Sequence, residues 1–179
     1  WYVVLFLFYS CADHRTLYVR FRRARQRCIR DGCNRAASWR EQIGVASQTY
    51  IFFPNLPFPY GEIMAFGIWN LGGIVVISDT GLLPNISPVE IKNILPEGKD
   101  YQELLSKSNP NFTPRFKPNL LDEAMVYLKN DIGFRFSHYN LLVNANGIQK
   151  SLNLQRGTSI KVNLTPTTTA WAILQLTLP

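Results

Sequence analysis

Cys11, His14, Cys28 and Cys33 form a C-x2-H…C-x4-C series, and thiolates with an imidazole at such spacings can close a tetrahedron around zinc. Cys28, however, recurs with Leu17, Phe21 and Ala24 at helical spacing. A free cysteine on an apolar stripe behaves as a small hydrophobe, so no metal site is expected. Ser137 and His138 set a hydroxyl nucleophile beside a general base. Neighbours on a helix point about 100° apart, which prevents a working couple, and Ser137 reads better as a helix N-cap. Arg20, Arg22, Arg23, Arg27 and Arg30 crowd one segment and offer guanidinium groups to an anionic partner. An acidic protein surface, as part of a larger complex, is the favoured partner, with an anionic lipid surface second. Nucleic acid is not expected, because aromatic residues interleave with these arginines only at Tyr18 and Phe21. No H-E-x-x-H, Walker loop or G-x-G-x-x-G occurs, and the glycines Gly67, Gly72 and Gly73 precede an apolar run instead of following one. The residues alone therefore supply no catalytic set, no cofactor site and no metal site.

The elements that would position these groups follow from periodicity. Thr16 caps a helix whose buried stripe is Leu17, Phe21, Ala24 and Cys28, with Gly32 as its stop and the arginines in solvent. Before it, Tyr2 to Tyr9 reads as a buried strand. Gln48 to Phe53 is a short strand, Tyr60 to Leu71 a helix ended by Gly72 and Gly73, and Ile74 to Ile77 a strand buried on both faces. Ser87 caps a helix to Leu95 with Pro88 at its first position. Prolines then recur from Pro96 to Leu121, an extended crossing with a helical turn or two at Tyr101 to Leu105. Ala124 to Leu128 is a strand, His138 to about Leu152 a helix, and Ser159 to Leu164 a last strand. This alternation predicts an α/β fold, a mostly parallel sheet flanked by helices. Its parts are a first α/β unit over 1–95, a Pro-rich linker over 96–122 and a second segment of the same domain over 123–179.

Composition bounds the function. With 179 residues, 46% apolar and 17% charged, the chain is one domain and too greasy to be disordered. The net charge of +7 is local, because residues 1–50 carry nearly all of the excess and every base before Lys92 is Arg. The longest apolar run, Trp1 to Tyr9, is far below the ~20 residues of a membrane-spanning helix, and no basic residue precedes it, so neither a span nor a signal is expected. An odd count of three cysteines suits a reducing compartment, with the mitochondrial matrix or the cytoplasm the expected setting.

Four segments carry a resemblance: Thr16 to Cys33; Pro54 and Asn55 with GEIMAFGIWNLGGIVVIS, ending at Ser78; SPVEIKNIL, Ser87 to Leu95; and FSHYNLLVNANGIQKSLNLQRGTSIKVNLTP, Phe136 to Pro166. Together they resemble the N-terminal part of the adenylate-forming, AMP-binding acyl-CoA synthetases. That family implies an ATP-dependent acid–thiol ligase using ATP, Mg and CoA. It also implies, just before the fourth segment, a phosphate loop of the form Tyr-Thr-Ser-Gly-Thr-Thr-Gly-x-Pro-Lys-Gly. Here Tyr127 is followed by LKNDIGFRF, and only Lys129 and Gly133 echo the loop, in the wrong order. An aromatic-His pair that the family places after its next strand is replaced by Thr167, Thr168 and Thr169. The reading from the resemblance is thus a truncated, non-catalytic relative acting as a structural or interaction subunit. Its alternatives are one piece of an active ligase that adenylates a carboxylic acid and passes it to CoA, and a basic nucleic-acid-binding subunit.

Overall fold

The computed structural model describes residues 21–42, 44–53, 60–82, 91–92, 101–113, 118–130, 132–155, 162 and 164–177. Helix α1 (Phe21–Gln42) leads to strand β1 (Tyr50–Phe52), helix α2 (Tyr60–Asn70) and strand β2 (Ile74–Ser78). A two-residue strand β3 (Ile91–Lys92), a short helix α3 (Tyr101–Lys107), and strands β4 (Glu123–Lys129) and β5 (Ile132–Ser137) follow. Helix α4 (His138–Ser151) and a π-helix (Trp171–Thr177) complete the described chain. The sheet runs β3-β1-β2-β4-β5, with β5 alone antiparallel. The expected α/β architecture, a mostly parallel sheet flanked by helices, is the observed one.

β2 is central, and all five of its residues are buried, which is why its sequence is a continuous apolar run. Alternation divides the sheet between two cores. Ile51, Phe53, Val75, Ile77 and Met125 face the helices, while Phe52, Ile74, Val76, Val126 and Leu128 form a second cluster. α2 hands over to β2 through a Schellman turn. Gly72 donates to Trp69 O at 2.9 Å and Gly73 to Ile68 O at 2.9 Å, with Gly72 at φ +72°. That left-handed conformation is one a side chain strains, so the glycine stop read from the sequence is physically required. α1 and α2 meet where a Cβ on Gly67 would lie 2.6 Å from the Ala36 Cβ, a contact only glycine permits.

Two expectations are corrected. Gly32 does not end α1, which continues to Gln42; a Cβ there would meet Ile63 at an ordinary 3.6 Å, and Ala36, Ala37 and Trp39 beyond it are core, so burial carries the helix past the glycine. The expected helix from Ser87 to Leu95 is instead strand at Ile91–Lys92, paired to Tyr50 and Ile51 on the sheet edge, where ladder bonds replace helical ones. β5, to which the sequence reading assigns no element, forms because Ile132, Phe134 and Phe136 alternate with Gly133 and Arg135 along β4. Of the expected last strand only Val162 and Leu164 are described, and neither is in a strand. The strand from Tyr2 to Tyr9 and the Thr16 cap lie outside the described residues.

Candidate functional site

In open α/β sheets ligands bind beyond the carboxyl ends of the parallel strands, so the candidate site lies where β1, β2 and β4 end. Ser78, the last residue of β2, donates to Leu82 O at 2.7 Å and lies 3.2 Å from Thr80 Oγ1. Asp79 donates its amide to Leu128 O at 3.1 Å, which ties the exit of β2 to that of β4. Thr165 and Thr167 share a hydrogen bond at 2.9 Å, and the methyl of Thr167 lies 3.6 Å from where a Cβ on Gly81 would stand. The rim is therefore hydroxyl-rich and packed against itself.

The β4–β5 connection faces this rim. Lys129 pairs with Ile132, Leu128 with Gly133 and Tyr127 with Phe134, so only Asn130 and Asp131 join the strands. Asn130 has φ +49°, the left-handed conformation that tight hairpin turns demand and asparagine tolerates. Lys129 and Gly133, the two echoes of a phosphate loop, are thus ladder residues. A phosphate cradle needs several consecutive amides converging on one point, and a two-residue turn flanked by paired strands has none to spare.

Ser137 and His138 sit at the start of α4. Ser137 Oγ accepts from the Asn140 amide at 3.2 Å, while Asn140 Oδ1 accepts from the Ser137 amide at 3.0 Å, a capping box that assigns Ser137 to structure, as the sequence indicated. The His138 ring stands edge-on to Trp69 at 5.8 Å. Its Nε2 is buried with no hydrogen-bond partner among the described residues, and desolvation lowers its pKa. A base whose folded pKa is lowered costs stability once the unfolded chain protonates. Stability is therefore expected to be full above about pH 6.5 and to fall as pH drops below it, toward the folded pKa. Urea midpoints at pH 7.5 and 5.5 should diverge in the wild type, and His138→Phe should shrink the gap. An equal gap in the variant would remove His138 as the cause.

A cavity of about 350 Å³ opens beside this histidine, lined by Phe66, Trp69, Leu120, Leu141 and Leu142. It lies at the start of β4, the far end of the sheet from the strand exits, and its lining is mostly apolar, with Asn119, His138 and Thr177 as its polar members.

The arginines divide. Arg22, Arg23, Arg27 and Arg30 belong to α1, but their side chains, like all of Arg20, lie outside the described residues. Of those that are described, Arg35 donates from Nη1 to the carbonyls of Leu105 at 3.1 Å, Ser106 at 2.9 Å and Ser108 at 2.5 Å, capping α3 where its carbonyls converge. Arg40 is fully buried with its guanidinium 5.3 Å from the Trp39 ring. The basic helix is thus partly internal, which its composition alone does not reveal. Cys33, half-buried on α1, has its thiol pushed up to about 12 by burial, so it remains a neutral hydrophobe at neutral pH. Cys11, His14 and the Cys28 side chain lie outside the described residues. Among the described residues no three His, Cys, Asp or Glu side chains gather as metal ligands, and no helix is long and apolar enough to cross a membrane.

No known family profile matches the chain, and no curated protein matches it either. Solved structures do. A long-chain fatty-acid–CoA ligase from Archaeoglobus fulgidus is similar over 84% of this chain and 37% of its own, at 16% identity and a TM-score of 0.62. An acyl-CoA synthetase from Brucella canis covers 83% and 34%, at 13% identity and TM-score 0.61. Apo MatB from Rhodopseudomonas palustris covers 84% and 36%, at 12% identity and TM-score 0.64. This chain spans little more than a third of the length of each. With β4 and β5 joined by two residues at the strand exits, it has the fold of the N-terminal subdomain of the acyl-CoA synthetases.

Proposed function

We propose that this chain is a non-catalytic, acyl-CoA-synthetase-like protein that acts as an interaction subunit of a larger assembly. The observation that carries this reading is the two-residue β4–β5 turn, with Lys129 paired to Ile132 where a phosphate-gripping loop would have to project. Ser78 donates to Leu82 O, Thr80 bonds Ser78, and Thr165 and Thr167 share one bond, which leaves the rim few hydroxyl hydrogens for a polyphosphate. The arginine-rich start of α1, with Arg20 just before it, supplies the charge for an acidic protein partner, and secondarily for an anionic lipid surface.

The short share of each similar structure favours a second reading, in which these residues belong to a working ligase whose nucleotide contacts lie elsewhere. Titration calorimetry with MgATP separates the two. The expected result is no binding heat at millimolar ATP, with the protein folded by circular dichroism. Magnesium-dependent binding, together with acid-dependent release of pyrophosphate, would overturn the proposal in favour of the ligase.

A further inference from the structure

Among the described residues β5 ends the sheet, and Ile132, Gly133, Phe134 and Arg135 are all exposed there, Ile132 at 60% and Phe134 at 46%. Open edge strands are ordinarily blunted by lysine, proline or a bulge, because their free amides and carbonyls template pairing. β5 contains no lysine and no proline. The one irregularity in its ladder lies at the far end, between Glu123 and Met125. Its single charge is exposed but paired. Arg135 Nε donates to Glu123 Oε1 at 2.9 Å and Nη2 to the Tyr50 hydroxyl at 2.9 Å, with a further bond to Glu123 Oε2. Tyr50 completes the set by donating to Glu123 Oε2 at 3.1 Å. Apart from this ion pair the edge is apolar, and among the described residues no strand pairs with it.

We propose that β5 is the contact through which two copies of this chain join, strand beside antiparallel strand, about a two-fold axis at Phe134. The sequence of β5 selects the occupant and the register. Centred on Phe134, the pairing places Phe134 against the partner's Phe134 and Ile132 against the partner's Phe136 on one face, and Arg135 against the partner's Gly133 on the other. Aromatic and β-branched residues are favourable cross-strand neighbours, and glycine leaves room for the arginine. Centring on Arg135 instead would set like charges opposite each other, which is unfavourable. Two five-stranded sheets fused in this way stay within the ~10 strands an open sheet sustains.

A ladder one strand wide covers less than the ~800 Å² per partner of a standard interface, so the dimer is concentration-dependent. The inference rests on β5 alone and is independent of whether the chain handles ATP. Sedimentation velocity of the purified chain should move from its 20.5 kDa monomer toward twice that mass between low micromolar and several hundred micromolar protein. Phe134→Lys, which sets two ammonium groups across the axis, should abolish the shift with the circular dichroism spectrum unchanged. Because Phe134 also lies 6.3 Å from Tyr127, the more exposed Ile132→Lys serves as a second variant and should weaken the shift. Mild oxidation of Phe134→Cys should yield a peptide cross-linked 134 to 134. A monomer at every concentration, or a Phe134→Lys chain that still dimerises, or oxidised Phe134→Cys without that cross-link, would each overturn the proposal.

Discussion

Replacing Trp69 with alanine is expected to cost about 3–5 kcal/mol of stability, the range for deleting a large core aromatic and a large share of a domain's total. Trp69 stands on the last turn of α2, 9% exposed, with Phe66 edge-on at 5.7 Å and His138 at 5.8 Å. Its indole Nε1 donates to Ala124 O at 2.8 Å in a buried bond. That carbonyl lies at the irregularity between Glu123 and Met125, where β4 leaves regular pairing with β5, so the indole satisfies a backbone group that the ladder does not. One residue thus clamps α2 to the start of β4 and to the cap of α4. Trp69→Phe separates the two contributions, since it keeps most of the packing but leaves the carbonyl bare, at about 1–3 kcal/mol. Urea unfolding followed by far-ultraviolet circular dichroism measures both. A loss below about 1 kcal/mol for Trp69→Ala, far under the range for such truncations, would show that the clamp lies elsewhere.

The same residues show what the sequence could and could not reveal. β2 was legible because a strand buried on both faces must be apolar throughout, and α2 because Gly72 and Gly73 punctuate it. The Ser137 cap was legible because its partner Asn140 is three residues away. Gly32 misled for a physical reason: glycine favours a helix end but does not compel one, and the burial of Ala36, Ala37 and Trp39 beyond it carries α1 on to Gln42. β5 carried its signal openly, in Ile132, Phe134 and Phe136 alternating after Asn130 and Asp131, a hairpin pattern in a place where the resemblance implied a loop. β3, with two residues, is too short to show a period. Other features depend on partners distant in the chain. Trp69 reaches a carbonyl 55 residues on, and Arg35 caps a helix about 70 residues on, so neither role leaves a local trace. The two-residue turn at the candidate site was readable as a missing loop, whereas the self-satisfied hydroxyl rim required the fold.

Trp171→Ala is expected to have an effect of the same size, about 3–5 kcal/mol, but with a different reach. Trp171 is 1% exposed, and its ring lies 5.4 Å from Phe53, tilted by 32°. Phe53 continues β1 by donating to Val76 O at 2.7 Å, so the tryptophan sits directly against the sheet. It opens the π-helix, in which Thr177 Oγ1 donates to Ala172 O at 2.8 Å, five residues back. From that helix Gln175 donates to Glu62 Oε1 on α2 at 2.5 Å and accepts from the Leu164 amide at 3.0 Å. Leu164 leads straight into Thr165 and Thr167 on the rim of the strand exits. Trp171 is therefore the apolar anchor that holds that rim over the β2 exit, and removing it should loosen the rim as well as the core. In a domain of this size about 3–5 kcal/mol corresponds to a drop in melting temperature of more than about 6 °C. Limited proteolysis of the variant should open the 164–177 segment before the sheet unfolds, while Trp171→Phe should retain most of the protection. A melting point within about 2 °C of the wild type, or cleavage confined to other segments, would show that the indole is not what holds this segment to the sheet.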